Sequence, residues 1–190
     1  MNVLLTAWAI LVVYFMSHSV NAENRIGCNF EVDLCGWTQN TDDDYDWRRN
    51  SGPTPSFSTG PSGDHTLGSA SGAYIYTEAS FGIAGETAKL TSDRVTLSSG
   101  DGCFQLWYNM YGAGIGALNV YLMPSDGPLK SLVSLEGEQG RDWRMLSVNI
   151  SSTDFRIVLE GVRGKSFMGD IAVDDVRLTD RPCGDPQLVG

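Results

Sequence analysis

Along residues 103–111 the side chains alternate between two faces. Phe104, Leu106, Tyr108 and Met110 lie on one face of an extended chain, and Gln105, Trp107, Asn109 and Tyr111 lie on the other. A period of two buries one side of a β-strand and would scatter the same apolar residues around a helix. The rhythm recurs in residues 73–77, 88–97, 118–123, 129–135, 143–150 and 155–159. Turn-forming clusters punctuate it: Asn50-Ser51-Gly52, Pro61-Ser62-Gly63, Ser99-Gly100-Asp101-Gly102 and Ser125-Asp126-Gly127-Pro128. No comparable helical period is present. The pattern predicts an all-β chain folded as a jelly-roll antiparallel β-sandwich. Strand-borne aromatics on the Trp107 face are expected to pack against neighbours or a covering loop. Residues 51–71, rich in Gly, Pro, Ser and Thr, read as a long ordered loop.

The first 22 residues read as a targeting signal. Residues 3–16 are apolar apart from Thr6, and Val20 and Ala22 occupy the small-residue positions of a cleavage site. The run is shorter than the roughly 20 residues of a membrane span. Cleavage after Ala22 would leave one domain, residues 23–183, and a short tail, residues 184–190. The expected product is secreted and extracellular, and reaches a membrane only through a partner. Every Asp, Glu, Lys and Arg follows residue 22, so the net charge of −10 belongs to the mature chain. An acidic surface of that kind disfavours nucleic acid as a partner.

Cys28, Cys35, Cys103 and Cys183 would enter an oxidising compartment as two disulfides. Four cysteines allow three connectivities. A local Cys28–Cys35 loop with a long Cys103–Cys183 tie is the simplest, but spacing does not prove it. Nor does the spacing resemble a zinc site, and His65 is the one histidine after the signal.

Several polar features could carry chemistry. Asp42-Asp43-Asp44-Tyr45-Asp46 reads as a solvated loop, with Trp47 anchoring the strand that follows in the core. Gly63-Asp64-His65-Thr66 holds Asp, His and Thr together, yet no Gly-x-Ser-x-Gly elbow accompanies it, so a hydrolase relay is not expected. Asp64 is better read as a loop or cation ligand, and His65 as a polar structural residue. Residues 169–176, ending in Asp174-Asp175-Val176, look like a late strand. An unbroken strand would place Asp174 on one face with Ala172, Val176 and Leu178, a costly position for an unpartnered carboxylate. Asn149-Ile150-Ser151 is an N-glycosylation sequon at Asn149, on the side opposite Val148 and Ile150.

The chain resembles the MAM domain, the extracellular module of meprins, neuropilins and mu-class receptor tyrosine phosphatases. The resemblance rests on Cys28-Asn29-Phe30-Glu31, Cys35-Gly36-Trp37, Tyr45-Asp46-Trp47, Gly63-Asp64-His65-Thr66 and Ala88-Lys89-Leu90. It continues through residues 103–112 and 169–176 to Cys183. One departure is Asn109, where the family often has histidine. The resemblance implies Cys28–Cys35 and Cys103–Cys183 bridges. It also implies adhesion through protein–protein contacts, with another extracellular protein or with a second copy of the chain. A structural cation is implied too, held by Glu31, Asp33, Asp64 and Asp174, with Asp175 nearby; calcium suits such oxygen donors. The expected function is therefore non-catalytic recognition. The alternative, a carbohydrate-binding module, requires Trp107, Tyr111 and Tyr121 to face solvent.

Overall fold

Two antiparallel sheets face each other across a single apolar core in the computed structural model, which describes residues 26–184. The expected signal, residues 1–22, and all of the expected tail beyond Gly184 lie outside the described residues. In chain order the strands are β1 (Thr38–Gln39), β2 (Arg48–Ser51), β3 (Ala73–Thr77), β4 (Thr87–Thr91) and β5 (Val95–Thr96). There follow β6 (Asp101–Met110), β7 (Ala117–Pro124), β8 (Lys130–Glu136), β9 (Gly140–Ser151), β10 (Asp154–Val162) and β11 (Ile171–Thr179). The first sheet runs β1-β4-β10-β7-β8, with β5 also on β10; the second runs β2-β3-β11-β6-β9. This is the sandwich that the alternation predicts.

The alternating residues account for the core. Phe104, Leu106, Tyr108 and Met110 of β6 are buried against Leu118, Val120 and Leu122 of β7 and Phe155, Ile157 and Leu159 of β10 within one cluster. Removing such side chains from water supplies most of the drive to fold. Trp37 and Trp47 sit in that cluster and satisfy their indole N–H groups on Ile26 O and Ala88 O. Cys28–Cys35 and Cys103–Cys183 are both formed. The acid run stays on an exposed loop, but Asp43 and Asp44 also accept the N–H groups of Lys89 and Thr87 at the edge of β4.

The last strand departs from the expected alternation. Asp174 of β11 lies opposite Trp107, yet the next paired residue is Arg177, opposite Gln105. Asp175 and Val176 together oppose the single residue Leu106, which is a β-bulge. Asp175 takes φ 46°, a left-handed conformation that Asp tolerates better than most residues. The extra residue shifts the phase by one. Ala172 and Asp174 therefore face outward, while Val176 and Leu178 turn into the core. The expected stripe of Ala172, Asp174, Val176 and Leu178 on one face does not form.

Candidate functional site

Asp174 faces outward but is fully buried, because the chain between β2 and β3 folds back over the outer face of the second sheet. Asp174 Oδ2 accepts the backbone N–H of His65 at 2.8 Å and of Thr66 at 3.2 Å, and its Oδ1 accepts Asp175 N–H at 2.8 Å. Burial pushes the Asp174 carboxyl up to about 7, against the lowering effect of the His65 N–H; the neighbouring Asp175 charge raises it further. The bulge aims Asp175 at the same loop. Its Oδ2 lies 2.5 Å from His65 Nδ1, and its Oδ1 accepts the Thr66 hydroxyl at 2.8 Å. The His65 ring then stacks on Trp107, with ring centroids 3.7 Å apart.

Asp64 does a local job in the same loop. Buried to 3% exposure, it accepts Leu67 N–H at 2.5 Å and Ser69 N–H at 2.9 Å, closing a tight turn. Gly72 leaves room for it; a Cβ there would stand 2.2 Å from Asp64 Cγ. Glu31 accepts Ala73 N–H at 2.9 Å and so ties the first disulfide loop to the start of β3. Asp33 is exposed and caps Cys35 N–H at 2.7 Å. Glu31, Asp64 and Asp174 thus gather around one loop, while Asp33 stands apart from it.

Calcium would need those carboxylate oxygens to converge on one point with further oxygen donors. Among the described residues no group of three or more His, Cys, Asp or Glu side chains could hold a metal ion. Each of the four expected ligands is instead engaged by backbone N–H donors. The donor set does not fit the cation.

Some contributors carry no motif in the sequence. Arg49 donates to Phe30 O at 2.5 Å and also to Glu31 O, bringing a positive charge to the backbone beside the Glu31 carboxylate. Asp170 is fully buried; its Oδ1 accepts Ala79 N–H at 2.9 Å, but its Oδ2 has no partner among the described residues. Burial pushes its carboxyl up to about 6, and nearby Glu78 adds to the rise. Asn109 is buried too; its Nδ2 donates to Arg141 O at 2.6 Å and its Oδ1 has no partner among the described residues. Only the doubled acid at Asp174-Asp175 could have warned of the bulge.

Each of the three aromatic side chains named for the carbohydrate alternative has a partner. Trp107, Tyr111 and Tyr121 are each partly buried. His65 covers Trp107, the Arg141 guanidinium lies 4.5 Å from the Tyr111 ring centre, and the Tyr121 hydroxyl donates to Glu160 at 2.9 Å. The open platform that the carbohydrate alternative required is not formed by these three rings. Asn149 is exposed on β9, and its Oδ1 accepts Cys183 N–H at 2.7 Å.

The family model described as MAM domain, meprin/A5/mu, matches residues 28–184. The chain is 40% identical over 160 residues to human MAM domain-containing protein 2, an alignment covering 83% of this chain and 23% of that protein. It is 35% identical over 174 residues to Neuropilin-1a of Danio rerio, covering 85% and 18%. It therefore spans less than a quarter of the length of these relatives. Among solved structures, the K1 cleaved adhesin domain of Lys-gingipain from Porphyromonas gingivalis superposes with a TM-score of 0.59 at 16% identity, covering 80% of this chain and 96% of that one. That likeness is one of fold.

Proposed function

The chain belongs to the MAM domain family, and we propose that it is a secreted, non-catalytic recognition module that binds another extracellular protein or a second copy of itself. The observation that carries this reading is the use made of the acidic residues. Asp174 is spent on backbone N–H groups that pin a long loop to a sheet, and Asp64 on N–H groups that close a turn within that loop. A carboxylate so engaged makes a poor general base or nucleophile, because its lone pairs are already committed and reaction would cost those bonds. What the clasp does supply is a rigid surface, which lowers the ordering cost of docking a partner. The match to MAM domain-containing relatives over most of the described residues supports the extracellular setting.

Asn149 belongs to the same reading as a glycan acceptor. Its Oδ1 is held by Cys183, and a glycan attaches through Nδ2. A glycan here would cover the β9 edge near the second disulfide.

The test is a display of the full secreted chain, tetramerised, against a panel of extracellular domains that includes the chain itself. Saturable binding that survives glycosidase treatment supports the reading. Failure to bind any protein, combined with turnover in a hydrolase screen that Asp174→Asn abolishes without unfolding, would replace it with an enzyme.

A further inference from the structure

The loop covers only part of the outer face of the second sheet. Beside it lies an open groove of about 570 Å3, whose lining includes Asn29, Gln105, Trp107, Met145, Asp175 and Arg177. Three strands build its floor in register: Arg177 of β11 opposes Gln105 of β6, which opposes Ser147 of β9, and Trp107 opposes Met145.

The hydrogen-bonding inventory of this groove is lopsided. Trp37, Trp47 and Trp143 donate their indole N–H groups to backbone carbonyls, but Trp107 Nε1 has no acceptor among the described residues. The Arg177 side chain is exposed and makes no ion pair or hydrogen bond among the described residues. Asn29 uses its Oδ1 to accept Glu31 N–H, which leaves its amide N–H groups free. Of the side-chain acceptors in the lining, Asp175 is already committed on both oxygens to His65 and Thr66, and Gln105 offers one neutral amide oxygen while its Nε2 donates to Ser147. A surplus of donors with a guanidinium among them selects an acceptor-only, negatively charged group. Next to them, the Met145 side chain is 55% exposed on the floor, an apolar contact without a partner.

We propose that this groove is the partner-binding site of the module and takes an Asp or Glu carboxylate of a protein ligand, flanked by an apolar residue. The proposal rests on the recognition reading above. Arg177 and Asn29 hold the carboxylate, the Trp107 N–H donates to it, and Met145 meets the apolar neighbour. A protein side chain fits better than a sugar ring, because His65 already lies flat on one face of Trp107. A carboxylate-bearing sugar is the competing occupant.

The probes are two blocked tripeptides, acetyl-Leu-Glu-Leu-amide and its Gln counterpart, titrated into the 15N-labelled full chain. The Trp107 indole signal, identified by its loss in Trp107→Phe, should move with the Glu peptide and stay still with the Gln peptide. Arg177→Ala should weaken the Glu peptide about tenfold with an unchanged melting temperature, since the side chain is exposed and unpaired. Equal response to both peptides, no response at the solubility limit, or unchanged affinity in Arg177→Ala overturns the proposal. So does a shift produced by glucuronic acid alone, which would assign the groove to an acidic glycan. If the wild type captures a protein in the panel and Arg177→Ala captures it equally, the groove is wrong and the recognition reading survives. If the wild type captures nothing, the recognition reading itself fails.

Discussion

The backbone N–H of His65 donates to the Asp174 carboxylate at 2.8 Å across 109 residues of sequence. Through it the long loop after β2 is fixed to the last strand, and Trp107 receives its stacking partner. Because Asp174 also accepts Thr66 N–H and Asp175 N–H, one buried carboxylate answers three backbone donors.

Replacing Asp174 by Ala should leave those three N–H groups without an acceptor and destabilise the fold by about 3–5 kcal/mol. Asp174→Asn keeps one accepting oxygen and should cost less. Urea unfolding of the secreted proteins measures both. An Asp174→Ala variant as stable as the wild type would show that water replaces the carboxylate.

Gly72→Ala places a methyl group where the Asp64 carboxyl now lies, 2.2 Å from its Cγ. Asp64 must leave its turn, with an expected loss of about 3 kcal/mol. Limited proteolysis should then cut within residues 53–71, where the wild type resists.

Two carboxyls make stability depend on pH in the same direction. Asp170 rises from 3.8 to about 6 and Asp174 from 3.8 to about 7, burial being the main cause in each. A carboxyl with a higher pKa in the folded state binds its proton more tightly there. Its contribution is therefore complete below the unfolded value and is lost as pH rises through the folded one. Between pH 3.8 and about 6, Asp170 should thus withdraw roughly 3 kcal/mol as pH increases. Asp170→Asn, which keeps an acceptor for Ala79 N–H, should gain on the wild type by that amount across the window. Paired melting curves at several pH values read the difference, and a constant gap would refute it.

The two disulfides should differ in worth. Cys103–Cys183 closes a separation of 80 residues and Cys28–Cys35 one of 7. Loop-closure entropy assigns about 4.5 kcal/mol to the first and about 2.5 kcal/mol to the second. Double Cys→Ala variants at each pair, compared by denaturant unfolding, should keep that order.

Calcium should leave the melting temperature unchanged when it is added or chelated, because the acidic residues around the loop are answered by N–H donors. A rise of several degrees with calcium would mean that these bonds open to admit a cation.

Much of the sandwich was legible because its strands obey a period of two. Phe104, Leu106, Tyr108 and Met110 occupy the core as alternation requires, and Leu118, Val120 and Leu122 do likewise. The cysteine count bounded the bridges, and the resemblance named their pairing. The residues of the candidate site were legible in composition, and their geometry was not. Asp64, His65, Asp174 and Asp175 do meet, but as a clasp of hydrogen bonds.

What the sequence determined by itself was the set of faces: which side chains must leave water, and therefore which segments become strands. What only the tertiary structure decided was the phase of β11. Asp175 in a left-handed conformation inserts one residue against Leu106, turning Asp174 outward beneath the loop. Burial patterns register apolar side chains, which the bulge returns to the core at Val176 and Leu178. A phase shift between two apolar runs depends on the strand alongside, and no local rule of alternation contains that partner.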